Sequence, residues 1–224
     1  MEKNQVNEAF EIHPKELDEP VECLKVSADT SDIDPEERKK NVKKLAGAIS
    51  HSLRQSGEIS VRSFGNSAIG KAAKALAIAN DFIYQTNNIH LSFAPGYIKA
   101  DIDGNILTGI RFVTFVNEIP DSSSLHKDAV LMVKSDPKDI DPEERRIRVR
   151  KLAGAITHTL EEHKLCAVRC FGNASIGKAA KALAIARGFT ATRSIDMYCW
   201  SEFIMTDMDG SARTGIVFMC YTNE

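Results

Sequence analysis

The sequence predicts an α+β protein made of two copies of one unit, each with the order strand, helix, strand, helix, strand, strand. Residues 64–79 recur almost unchanged at residues 171–186, which are 107 positions later. In each copy, some segments place apolar residues with the two-residue period of a strand and others with the 3.6-residue period of a helix. An Asp-Gly pair between the last two strands of each copy is typical of a hairpin turn. A repeat this long exceeds any solenoid unit, so we expect each copy to be a small domain with its own core.

Each copy opens with a short apolar strand, predicted at residues 23–28 and 129–133, and continues into a helix. Asp34 and Asp141 are the predicted N-caps of this first helix, because their carboxylates can accept the unpaired backbone N–H groups. A proline and two glutamates follow each aspartate, and these residue types suit the positive end of the helix dipole.

The second strand, predicted at residues 59–64 and 166–171, ends at a Gly-Asn pair in each copy. We expect Asn66 and Asn173 to cap an alanine-rich second helix, whose small side chains permit close approach to a neighbour. The last two strands, predicted at 89–102 and 106–116, and at 195–208 and 212–221, are joined at Asp103-Gly104 and Asp209-Gly210.

Composition and charge indicate an intracellular protein, cytoplasmic by default. No stretch reaches the ~18 apolar residues of a membrane span, and the first residues lack a signal pattern. The five cysteines include no Cys-x-x-Cys pair, which excludes an evident zinc site or disulfide framework and favours buried free thiols at Cys166 and Cys170. The net charge of -2 is not that of a strongly basic DNA-binding protein.

Several motifs together resemble the bacterial stage V sporulation protein S family, whose domains adopt the Alba fold. They are Leu-Ala-Gly-Ala-Ile in the first helix, the Gly-Asn turn, Lys-Ala-x-Ala-Ile-Ala in the second helix, and Asp-x-Asp-Gly followed by Thr-Gly-Ile. The resemblance covers residues 21–118 and 128–224, leaving an acidic tail at 1–20 and a linker at 119–127. It implies nucleic-acid binding and dimer formation, so two Alba-like domains in one chain are expected to form a pseudo-dimer.

One sequence motif matches the consensus of the phosphate loop of nucleotide hydrolases. Residues 65–71 and 172–178 read Gly-x-x-x-x-Gly-Lys, but alanine follows where a hydroxyl should hold magnesium. We therefore expect no nucleotide hydrolysis, no enzyme and no cofactor. His51 and His158 fit a helix surface rather than a catalytic base, and Asp101 and Asp207 belong to turn sequences rather than to a metal site.

A stripe of lysines on the second helix is the candidate binding site. Lys71 and Lys74, with Lys178 and Lys181 in the second copy, lie one helical turn apart near a helix start that could hold a backbone phosphate. Asn66 and Asn173 in the turn, and Arg62 and Arg169 on the preceding strand, could extend it. The alternative is that these lysines are solvated side chains bordering a helix pair.

A second basic cluster lies on the first helix, at residues 38–44 and 145–151. It could engage phosphates, but glutamates one turn earlier favour a self-paired, solvated helix. The loop before this helix is acidic, with Asp29 and Asp136 among its residues.

Two functions follow from these patterns. The first is a non-enzymatic protein that binds DNA or RNA through the lysine stripes and can associate further. The second is a scaffolding module that has kept the fold and joins protein partners through two near-identical faces.

Overall fold

A computed structural model of the protein describes residues 22–87, 90–102, 104–208 and 210–222. The first copy consists of β1 (Cys23–Val26), α1 (Pro35–Ser56), β2 (Glu58–Ser63), α2 (Asn66–Asn87), β3 (His90–Ile102) and β4 (Asn105–Asn117). The second copy consists of β5 (Val130–Val133), α3 (Pro142–His163), β6 (Leu165–Cys170), α4 (Asn173–Ala191), β7 (Met197–Met208) and β8 (Ser211–Thr222). Both copies have the predicted order, so the prediction of an α+β fold with two tandem Alba-like repeats is confirmed.

The first helix of each copy starts as its sequence predicts. The Asp34 carboxylate accepts hydrogen bonds from the backbone N–H groups of Glu36 and Glu37, at 2.8 and 3.3 Å. Asp141 caps α3 in the same way. Because such a cap satisfies donors that the helix leaves unpaired, it fixes where each helix begins.

All eight strands form a single sheet in the order β1-β2-β4-β3-β7-β8-β6-β5. The order reads the same for both copies from the two edges inward, with β3 and β7 antiparallel at the centre. Phe93 lies opposite Cys199 there, and these are equivalent positions of the two copies. A pseudo-twofold axis therefore passes through the middle of the sheet.

The hairpin turns agree with the sequence as far as they are described. Gly104 and Gly210 have φ angles of 79° and 76°, which glycine adopts without strain. Asp103 and Asp209, the other halves of the predicted turns, lie outside the described residues, as does the acidic tail at 1–20.

The two copies share one hydrophobic core, which all four helices and alternate residues of the strands build together. The alanine-rich helices α2 and α4 contact each other, and each also packs against the central strand of the other copy. The Ser201 hydroxyl donates to the Ala73 carbonyl, 3.3 Å away in the other copy. Six matched side chains near this contact are fully buried: Ala72, Ala73, Leu76, Ala179, Ala180 and Leu183. The expectation of a separate core in each copy was therefore wrong.

A smaller cluster covers part of the opposite face of the sheet. Trp200 and Tyr221 are its largest members, and Ile119 and Leu125 from the connection between the copies pack against it. This connection therefore contributes to packing as well as joining the copies. The domain boundaries that the sequence suggests remain a prediction.

Two further observations concern the described residues as a whole. Among them, no helix is long and apolar enough to cross a membrane. All five cysteines are free thiols, and Cys166 and Cys170 are buried, as predicted.

We expect the shared core to make both copies unfold together. Leu53 and Leu160 are equivalent buried residues of α1 and α3, and truncating either to alanine should cost about 2–5 kcal/mol. Trp200, the only tryptophan, lies in the second copy and reports its unfolding. Leu53→Ala and Leu160→Ala should therefore lower, by similar amounts, the midpoint of the unfolding transition that is followed by Trp200 fluorescence. A midpoint that moves with Leu160→Ala but not with Leu53→Ala would show independent domains.

Candidate nucleic-acid interface

The residues that cap α2 and α4 are glycines, not the asparagines expected from the sequence. The carbonyls of Gly65 and Gly172 accept the first helical hydrogen bonds, from Ile69 and Ile176. Both glycines have φ near +80°, a conformation that other residues rarely adopt. The N-cap of α4, Gly172, makes no side-chain hydrogen bond to the first N–H groups of that helix.

Asn66 and Asn173 are instead the first helical residues, and each reaches the other copy. The Lys74 ammonium donates to the Asn173 side-chain oxygen at 3.1 Å. By the same geometry, Lys181 donates to the Asn66 side-chain oxygen at 3.3 Å. Each helix start is therefore bonded to a lysine of the opposite copy.

The close crossing of α2 and α4 at their first turns requires glycine at one position of each helix. A Cβ added to Gly70 would overlap the side chain of Asn173, and one added to Gly177 would overlap the side chain of Asn66. The Gly-x-x-x-x-Gly-Lys motif does not form a phosphate loop, because its last two residues are helical. Gly70 and Lys71 lie inside α2, about a turn after its start.

Lys71 and Lys178 hold the acidic loops of their own copies. Lys71 forms an ion pair with Asp29 at 2.7 Å, and Lys178 forms one with Asp136 at 2.6 Å. The four side chains are only 9–16% exposed. Burial alone would raise the pKa of Asp29, but hydrogen bonds from Lys71 and Asn41 and nearby positive charges outweigh burial and lower it. The acidic loops and these two lysines therefore neutralise each other.

Lys74 and Lys181 are in a different environment. Partial burial lowers the pKa of both ammonium groups, and the positive charges of Arg38 and Arg145, respectively, lower them further. A cation held near another cation and away from bulk water gains more from an incoming anion than a solvated one.

We name two sites after the helix that starts in each. The α4 site comprises the start of α4 with Asn173, Lys74 and Arg38. The α2 site comprises the start of α2 with Asn66, Lys181 and Arg145. Each site is assembled from both copies, and the pseudo-twofold axis relates one site to the other.

The structure does not bring Arg62 and Arg169 to these sites. Their neighbours Val61 and Val168 point into the helix-covered core. Since successive side chains of a strand alternate between faces, Arg62 and Arg169 point to the opposite face of the sheet. The basic segments of α1 and α3 are largely self-paired, as expected: Lys39 with Glu36, Lys40 with Glu37, Arg146 with Glu143, and Arg148 with Glu144.

Two long hairpins extend beyond the strands that flank them, a feature that the sequence analysis did not associate with function. The pairing of β2 with β4 stops at Ser63 and Ile110, whereas β4 continues to Asn105 in its pairing with β3. The β7–β8 hairpin behaves in the same way. Because α2 starts directly after β2 and α4 directly after β6, each hairpin projects from the strand ends at which the second helix of its own copy begins. Since β3 and β7 are antiparallel, the two hairpins point in opposite directions. Ile106 and Met205 are 72% and 76% exposed near their tips.

The glycine positions offer a direct stability test. Gly70→Ala and Gly177→Ala should each destabilise the protein by about 1–3 kcal/mol, because the new methyl group displaces an asparagine. Gly47→Ala and Gly154→Ala in α1 and α3 are matched controls, since a Cβ there meets no atom within 4 Å. The controls should stabilise by up to about 1 kcal/mol, as alanine favours a helix. Equal thermal midpoints for the two pairs would refute the close contact.

The chain matches one protein family in both copies. The sequence profile described as stage V sporulation protein S (SpoVS) matches residues 22–117 and 145–223. These segments include every strand of the sheet except β5, both crossing helices and all the residues named in the α2 and α4 sites. The chain therefore belongs to the SpoVS family, as a tandem duplication of its domain.

Proposed function

We propose that the protein binds the sugar–phosphate backbone of nucleic acids, without catalysis, through the α2 and α4 sites. The observation that carries this proposal is the assembly of each site from the helix start of one copy and a partly buried lysine of the other. A helix N-terminus presents backbone N–H donors and positive dipole charge, which together suit a phosphate. Lys74 and Lys181 would supply the full charges.

The pairing of two such sites favours a repeating anionic ligand over a single small anion. Both sites lie on α2 and α4, and the shared core fixes their separation. A nucleic-acid backbone offers phosphates at regular intervals, so one strand or two adjacent strands could occupy both sites. The donors that define each site, the backbone N–H groups of a helix start and a lysine ammonium, suit phosphates and carry no sequence information, which predicts binding with little sequence preference.

In this proposal the four lysines of the original stripe have two roles. Lys74 and Lys181 contact the ligand. Lys71 and Lys178 anchor the acidic β1–α1 and β5–α3 loops, which would otherwise repel phosphate beside the sites. The two projecting hairpins extend the contact surface in opposite directions, each from the strand ends at which the second helix of its own copy begins.

A scaffolding function is the second candidate, and one observation favours it. Exposed apolar side chains, Ile106 and Met205 among them, lie near the tips of both hairpins, where a protein partner could cover them. If this candidate is correct, the binding of protein partners will depend on the hairpins and not on Lys74 or Lys181.

The proposal predicts a specific loss of salt-sensitive binding. Lys74→Gln with Lys181→Gln should weaken binding to random-sequence DNA and RNA and reduce the slope of log affinity against log salt. For duplex DNA, the reduction should be about 0.9 for each lost phosphate contact, or roughly 1.8 for both. Fluorescence anisotropy at several salt concentrations measures both quantities.

The matched control is Lys39→Gln with Arg146→Gln. Lys39 and Arg146 are equivalent in the two copies and are 70% and 81% exposed. Their substitution removes the same charge as the Lys74→Gln and Lys181→Gln pair. The control should retain most of the affinity and slope of the parent protein. Equal losses in both double variants would mean that only net charge matters. An absence of salt-sensitive binding by the parent protein would leave the scaffolding candidate.

A further inference from the structure

Each of the two hairpins carries one partly exposed aromatic ring on the side of the sheet that the helices cover. Tyr97 of β3 and Phe203 of β7 are equivalent positions of the two copies, and they are 37% and 41% exposed. Phe93 and Cys199, four residues earlier on the same strands, belong to the core beneath the helices. Because strand side chains alternate between faces, the two rings lie on that same side.

The strand register places each ring at the end of the sheet where a second helix begins. Tyr97 is paired with Ile110 of β4, and Ile110 is paired with Ser63, the last residue of β2. Helix α2 starts three residues after Ser63. Strands β7, β8 and β6 place Phe203 in the same relation to the start of α4. Each ring is therefore near the helix start of its own copy.

The Tyr97 ring borders the α2 site directly. Its hydroxyl donates to the Lys181 carbonyl at 3.1 Å, and the Lys181 ammonium donates to Asn66. Burial raises the pKa of the Tyr97 hydroxyl, so the group stays protonated and keeps this hydrogen bond at neutral pH. The anchored ring has little freedom left to lose when a ligand stacks on it. The pseudo-twofold axis places Phe203 correspondingly beside the α4 site.

The aromatic ring is common to both copies, whereas the exposed residues nearer the hairpin tips are not. Met205 is equivalent to Lys99, and Ile106 is equivalent to Ala212. The ring at 97 and 203 is thus associated with the phosphate sites, which are also common to both copies, rather than with the variable hairpin tips.

We propose that Tyr97 and Phe203 stack unpaired bases, so that the ligand of the α2 and α4 sites is single-stranded nucleic acid. This inference rests on the proposed function, because it adds a base contact to each phosphate site. Every base has a π face, so stacking strengthens binding without selecting a sequence. In a duplex the bases are already paired and stacked on each other, whereas single strands can turn their bases onto aromatic side chains.

A strand without bases tests the stacking in the unmodified protein. Fluorescence anisotropy compares oligothymidylate with an abasic strand of the same length, which has the same phosphates. Oligothymidylate should bind more tightly by about 5- to 150-fold for each stacked base, with the same dependence on salt. Equal affinities for the two strands would overturn the inference, and salt-sensitive binding of both would still support the phosphate sites. An absence of salt-sensitive binding to any nucleic acid would refute the proposed function itself.

Substituting the rings assigns the effect to these two residues. Tyr97→Leu with Phe203→Leu keeps apolar side chains but removes both π faces. This double variant should bind oligothymidylate about as weakly as the parent protein binds the abasic strand, with an unchanged salt slope and unchanged affinity for duplex DNA. Tyr97→Phe, which keeps the ring, should retain most of the affinity. Loss of duplex affinity to the same extent as single-strand affinity would refute the stacking role.

The matched control removes two other exposed rings. Phe82→Leu with Tyr84→Leu also changes one phenylalanine and one tyrosine, which are 39% and 48% exposed. Both lie on α2 about 25 Å from its start, as the rise per helical residue requires. The control should bind oligothymidylate as the parent protein does. Equal losses in the two leucine double variants would refute a specific role for Tyr97 and Phe203.

Discussion

The close crossing of α2 and α4 is the constraint on which the rest of the structure depends. It is possible because Gly70 and Gly177 leave room for the asparagine of the opposite helix. Once the helix starts lie this close, Lys74 and Lys181 reach the other copy, and the alanine faces behind them pack into one core. The continuous sheet and the two cross-copy sites are both built on this contact.

Joining the copies in one chain has consequences beyond holding them together. It raises the effective concentration of each copy near the other, which favours the internal pair over exchange between molecules. It also allows equivalent positions of the two copies to carry different residues, because each residue of the single chain has only one environment. The Tyr97 hydroxyl donates to the Lys181 carbonyl at 3.1 Å, whereas its equivalent, Phe203, has no hydroxyl. In a symmetric homodimer one side chain would have to serve both positions.

The fold could be predicted from the sequence largely because its signals are local. Capping aspartates, apolar periodicity and hairpin glycines determine element order within a few residues. The roles of the lysines could not be predicted, because Lys71 and Asp29 are 42 positions apart and meet only in the folded chain. The N-cap of α2 was misassigned: Asn66 is a favourable cap in isolation, but its side chain accepts a hydrogen bond from Lys181 across the interface. Strand alternation at Val61 could have shown that Arg62 points away from α2.

Each proposed phosphate site combines a helix start from one copy with a lysine from the other. A crystal structure with a short bound oligonucleotide tests this combination. We expect two backbone phosphates, one at the first N–H groups of α4 within hydrogen-bonding distance of Lys74, and one at the start of α2 near Lys181. Phosphates bound only along the exposed basic faces of α1 and α3, with both helix starts empty, would refute the proposed α2 and α4 sites.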